Sequence, residues 1–171
     1  NGMLLMFNHL GDQQMEDTGI TTGEDDTAED QPVVVVEYCQ LQWPCSMELE
    51  TSQTSEEVYG RVYTAGVTDR SGAGENVQVS LGVGAPDADP SSDWTWSECV
   101  YNADADGLSS GDMANDEFMG TFQAPDAAGT YRYTVRARIG DGPWTLCDFG
   151  SSCGGEGTAD GFDINAFRKL F

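Results

Sequence analysis

The sequence predicts an all-β fold: an antiparallel β-sandwich of about 7–8 short strands. Three observations carry this. From residue 32 onward, apolar side chains recur at every second position, the period of a strand with one buried face. The alternating runs are separated by turn compositions such as Gly72-Ala73-Gly74, Pro86-Asp87-Ala88-Asp89-Pro90, Asn102–Gly107, Ala124–Gly129 and Gly140-Asp141-Gly142-Pro143. In these, Gly reaches positive φ, Pro holds φ near its ring value, and Asp bonds its own backbone. The Trp, Tyr and Val residues that build a core all lie within residues 32–150.

The strands expected in order are Val33–Tyr38, Ser46–Glu50, Glu57–Thr64, Asn76–Val83, Trp94–Tyr101, Glu117–Gln123, Gly129–Ile139 and Trp144–Phe149. The clearest is Tyr131–Ile139. Its odd positions are apolar, and its even positions carry Arg132, Thr134, Arg136 and Arg138 on the opposite face. Three of the six arginines therefore share one strand face. Such a face is either solvated and balanced by acidic neighbours, or an anion-recognition stripe for an acidic glycan or for the chain's own acidic segment.

The organisation has four parts. Residues 1–10 are apolar, with Leu4, Leu5, Met6 and Phe7 at their centre. Residues 11–31 form an acidic linker that holds Asp and Glu but no Lys or Arg. Residues 32–153 are the β-sandwich. Residues 154–171 form a tail in which Gly161–Phe171 resembles a last strand followed by a short apolar end. The start lacks the basic flank and long apolar run of a signal peptide, so we expect a processed chain or a fragment.

The net charge of −23 excludes two partner classes. With no basic run, the field is wrong for nucleic acid and for anionic lipid. No run approaches the ~20 apolar residues of a membrane span. Five cysteines at 39, 45, 99, 147 and 153, without any Cys-x-x-Cys, favour disulfides over zinc and hence an oxidising compartment. We therefore expect an extracellular or cell-surface protein.

An ordered series of motifs spans residues 38–150. It begins with Cys39-Gln40-Leu41-Gln42-Trp43-Pro44, Val58-Tyr59-Gly60-Arg61-Val62-Tyr63 and Gly66-Val67-Thr68-Asp69. It continues through Trp94-Thr95-Trp96, Tyr101-Asn102, Asn115-Asp116-Glu117-Phe118, Gly129-Thr130-Tyr131 and Trp144-Thr145-Leu146-Cys147-Asp148. This series resembles a poorly characterised Ig-like β-sandwich module found in secreted proteins and surface lipoproteins of Gram-negative bacteria. The resemblance implies an accessory rather than catalytic role. It also implies a Cys39–Cys147 bridge, with Cys45–Cys99 as the second bridge and Cys153 left over. A rival set uses Cys147–Cys153.

Asn102, Asp104 and Asp106, followed by Gly107 and the carbonyl of Leu108, match the first half of a calcium loop, in which alternate oxygens converge on one ion. The second half departs, with Asp112 one position early and Met113 at the last position. A structural Ca2+ and a self-capped Asp-rich turn are the two readings. Trp94 and Trp96 share a strand face and are candidates for stacking on sugar rings, against core packing as the bland alternative. His9, the single histidine, lies in the N-terminal extension, and we expect a non-enzyme. Two functions follow. One is a structural subunit that assembles with copies of itself by adding terminal segments to a neighbour's sheet, in a filament or surface appendage. The other is an accessory module for glycans or other surface ligands, built on Trp94 and Trp96 or on Arg132, Arg136 and Arg138.

Overall fold

The computed structural model describes residues 32–106 and 113–155. The fold is all-β, with nine strands and a single 3-10 turn at Ser151–Cys153 among the described residues. The strands are β1 Tyr38–Trp43, β2 Val58–Tyr63, β3 Val77–Gly84, β4 Thr95–Glu98, β5 Val100–Ala105, β6 Asn115–Gly120, β7 Arg132–Ile139, β8 Thr145–Leu146 and β9 Asp148–Phe149. They form a five-stranded sheet in the order β5-β6-β2-β1-β9 and a four-stranded sheet in the order β4-β3-β7-β8. All pairings are antiparallel except β1 with β9. Among the described residues, no helix is long and apolar enough to cross a membrane.

The period-two pattern places the core. On β7, Tyr133, Val135 and Ala137 are fully buried. Their register partners on β3 are Val83, Leu81 and Val79. On the other sheet, Cys39, Leu41, Val58, Val62 and Phe118 complete the same cluster. Gly60 lets the sheets meet, since a Cβ there would fall 2.7 Å from Val135 Cγ2.

Several expected strands shift or divide. Val33–Tyr38 is not a strand: β1 begins at Tyr38, and Val33, Val34 and Val35 are 65%, 42% and 49% exposed. The register with β2 sets the strand instead, through Cys39 opposite Val62 and Leu41 opposite Gly60. Ser46–Glu50 is a connection in which Met47 is buried. Trp94–Tyr101 divides at Cys99 into β4 and β5, and Trp144–Phe149 divides at Cys147 into β8 and β9. At both points the chain passes from the four-stranded to the five-stranded sheet, so each crossover is a cysteine.

Cys39 is bonded to Cys147, and Cys45 to Cys153. The expected Cys45–Cys99 bridge is therefore corrected, as is the rival Cys147–Cys153 pair. Parallel pairing is the reason. β1 and β9 run side by side in the same direction, and the Gly150 N–H donates to the Leu41 carbonyl. Continuing both segments brings Cys45 beside Cys153. Cys99 is left as a thiol at the other crossover, close to Gly120, with burial pushing its pKa up to about 12. Two disulfides fit an oxidising, extracellular setting.

Candidate functional site

The outer face of the four-stranded sheet holds a ladder of alternating rings and cations. The Arg136 guanidinium carbon lies 4.0 Å from the centre of the Trp96 ring and 4.2 Å from that of Trp144. The Arg138 guanidinium lies 4.5 Å from the same Trp144 ring. The order Trp96–Arg136–Trp144–Arg138 follows from topology. β4, β3, β7 and β8 lie side by side, and alternation sends positions 96, 136, 138 and 144 to the same side. Each cation–π contact is worth roughly 0.5–2 kcal/mol, more as water is excluded. Arg138 is also held by two hydrogen bonds, from Nε at 3.1 Å and Nη2 at 2.8 Å, to Gln78 Oε1. Arg132 stands opposite Gly84, at the Trp94 end of the same strand face.

Trp94 and Trp96 stack on each other with ring centres 5.8 Å apart. Trp94 is buried over Gly84 and donates its indole N–H to the Ala88 carbonyl at 3.2 Å. Trp96 lies over Gly82 and donates to the Pro90 carbonyl at 3.1 Å. Their polar atoms are satisfied by backbone, and their rings are engaged by Gly, Arg and each other. As placed, neither offers a sugar an open ring face.

The exposed tryptophan is on the other sheet. Trp43 is 53% exposed. Strict alternation would send it inward with Cys39 and Leu41. A bulge between Leu41 and Trp43 turns it outward, opposite Tyr59. Tyr59 pairs with Met119, and Met119 with Val100, which is 60% exposed. Trp43, Tyr59, Met119 and Val100 thus make one row across four strands. Beside it runs a polar row. Arg61 Nε donates to Gln42 Oε1 at 2.7 Å and faces Glu117 at 3.9 Å, and Asn102 Nδ2 donates to Glu117 Oε1 at 2.6 Å. Tyr38 and Tyr63 pair beyond it. The sequence signal for this row was the apolar or aromatic residue at each of these positions; the bulge that gathers them is not visible in a period-two pattern.

The residues of the expected calcium loop are mostly not gathered. Asn102 to Ala105 belong to β5 rather than to a loop. A register shift between Tyr101 and Ala103 separates neighbouring side chains. Asn102 bonds Glu117 on the outer face, whereas Asp104 accepts from the Tyr101 hydroxyl and the Gly72 N–H. These two bonds hold the Asp104 pKa down. The Asp106 carbonyl accepts from Arg61 and Asn115. Leu108 and Asp112 lie outside the described residues, as do Leu4, Leu5, Met6 and Phe7 of the expected assembly segment.

Opposite Asp104, Asp116 is fully buried. One carboxylate oxygen accepts the Gly74 N–H at 2.7 Å, and Oδ1 has no hydrogen-bond partner among the described residues. Burial, and secondarily the Asp104 charge, push its pKa up to about 6.

No protein-family model matches the chain. Part of it is similar to an amylopullulanase from Thermoanaerobacter thermohydrosulfuricus, 35% identical over 107 residues. The match covers 52% of this chain and 7% of that enzyme.

Proposed function

We propose that this chain is an accessory, non-catalytic β-sandwich module of the Ig-like kind, secreted or displayed at the cell surface, that binds carbohydrate. The carrying observation is exposed Trp43 beside half-buried Tyr59 on the outer face of the five-stranded sheet, flanked by the Gln42–Arg61–Glu117–Asn102 row. An open indole face packs against the C–H face of a pyranose. Amide, guanidinium and carboxylate groups beside it hydrogen-bond the ring hydroxyls. The partial similarity to an enzyme named for its action on pullulan supports this reading, since the similar stretch is a small fraction of that enzyme.

The test is affinity electrophoresis of the folded chain in gels containing amylose or pullulan. Retardation that disappears in Trp43→Ala and persists in Trp96→Ala is the expected result. Equal migration with and without either glucan would overturn a glucan-binding role. Assembly through residues 1–10 is a separate proposal, which rests on the sequence. Light scattering of the full chain and of a chain lacking residues 1–10 decides it.

A further inference from the structure

Among the described residues, the Trp–Arg ladder brings two guanidinium groups to a groove that one carboxylate, Glu98, also lines. Arg136 and Arg138 stack on the same Trp144 ring. The Arg61–Glu117 ion pair lies on the other sheet. Among the described residues, neither ladder arginine faces a carboxylate at ion-pair distance, in a chain of net charge −23. Arg138 spends two of its donors on the neutral amide of Gln78. Arg136 Nε is buried and makes no hydrogen bond among the described residues. Burial and the neighbouring Arg138 charge both disfavour the Arg136 cation and lower its pKa. Two guanidinium groups this close, with no ion-paired carboxylate among the described residues, raise the free energy of the face, and a bound anion would relieve it.

The geometry also selects the anion. Indoles on both faces of Arg136 leave only the edge of its guanidinium for hydrogen bonding. That edge is a planar fork matched to a carboxylate. The ladder forms one side of an open groove of about 550 Å³, which Gln78, Ser80 and Glu98 also line. Ser80 can donate to or accept from hydroxyls, whereas Gln78 is engaged at both ends, accepting from Arg138 at Oε1 and donating from Nε2 to the Gly140 carbonyl at 3.1 Å. Glu98 accepts from hydroxyl donors. A ligand that sets several hydroxyls beside each carboxylate fits this set; a run of acidic amino acids supplies the carboxylates without the hydroxyls.

We propose that this groove binds the uronate residues of an acidic polysaccharide, with Arg136 as the carboxylate anchor and Arg138 and Gln78 beside it. The site is on the opposite sheet from Trp43 and does not depend on glucan binding there.

The experiment is calorimetric titration of the folded chain with tetragalacturonate. Wild type is expected to bind. The methyl ester, which keeps the shape and loses the charge, is expected to bind at least tenfold more weakly. Arg136→Lys keeps the charge but loses the planar fork, and should weaken binding at least tenfold. Gln78→Glu supplies an internal carboxylate at an exposed position and should weaken it similarly without disturbing the fold, which covers the case in which Arg136→Lys fails to fold. Trp43→Ala should bind uronate as wild type does. No binding by wild type, equal binding of the methyl ester, or indifference to both groove variants overturns the proposal. Tetraglutamate binding as tightly as tetragalacturonate, or acetate competing as well per carboxylate, overturns it in favour of a peptide or plain-anion site.

Discussion

Gly82 lies directly beneath Trp96: a Cβ built on Gly82 would stand 2.6 Å from the indole ring. The ring position therefore depends on the absence of a side chain on β3. Gly82→Ala should cost roughly 1–3 kcal/mol, the range for overpacking a close contact. It should also lift Trp96 away from Arg136. Urea unfolding followed by tryptophan fluorescence reads the first effect, and near-ultraviolet circular dichroism the second. Unchanged stability and an unchanged near-ultraviolet spectrum would mean that Trp96 is not held against β3.

Trp43 and Trp94 should separate cleanly in stability. Trp94 is 7% exposed and Trp43 is 53% exposed. Trp94→Ala removes a packed ring and should cost about 3–5 kcal/mol. Trp43→Ala should stay within about 1 kcal/mol of wild type. Thermal melts of both variants at the same pH check this.

The disulfide pattern predicts a thiol count. Native protein should react only slowly with a chromogenic disulfide reagent, because the Cys99 thiol is partly buried and its pKa is raised to about 12. Unfolding without reductant should expose one. Peptide mapping should recover Cys39–Cys147 and Cys45–Cys153. Each bridge spans 108 residues, and a loop of ~100 residues corresponds to about 4–5 kcal/mol in the chain-entropy description. The two loops overlap almost entirely, so removing Cys153 alone should cost well under that figure while Cys39–Cys147 remains.

Asp116 predicts a pH dependence of stability. Its pKa is about 6 in the folded chain, above the ordinary aspartate value of 3.8. The native state therefore holds the proton more tightly than the unfolded state does. The resulting stabilisation is fully present below pH ~4 and is lost as pH rises through about 6. Acidification from pH 7.5 to 5 should raise the melting temperature. Asp116→Asn should be more stable than wild type at pH 7.5, by roughly 1–3 kcal/mol, and should lose much of that dependence. A parallel pH profile for the variant would show that Asp116 is not the titrating group.

Much of the fold was legible in the sequence. The alternation of Tyr131–Ile139 placed Tyr133, Val135 and Ala137 inward and the arginines outward. The turn compositions marked most of the connections. Boundaries were less visible where the chain changes sheets. Trp94–Tyr101 and Trp144–Phe149 each read as one strand, because alternation carries no information about which sheet a residue joins.

Local chemistry determined that this chain is β, which strand faces are buried, and that its cysteines favour bridges over metal. Those properties depend on neighbours within a few residues, so sequence carries them. Tertiary structure alone decided the rest. The parallel β1–β9 pairing brought Cys45 to Cys153 across more than a hundred residues. A single bulge turned Trp43 outward. The adjacency of β4, β3, β7 and β8 threaded Arg136 between Trp96 and Trp144. In each case the deciding contact joins residues far apart in the chain, and its energy is set by register and sheet order, which no local pattern encodes.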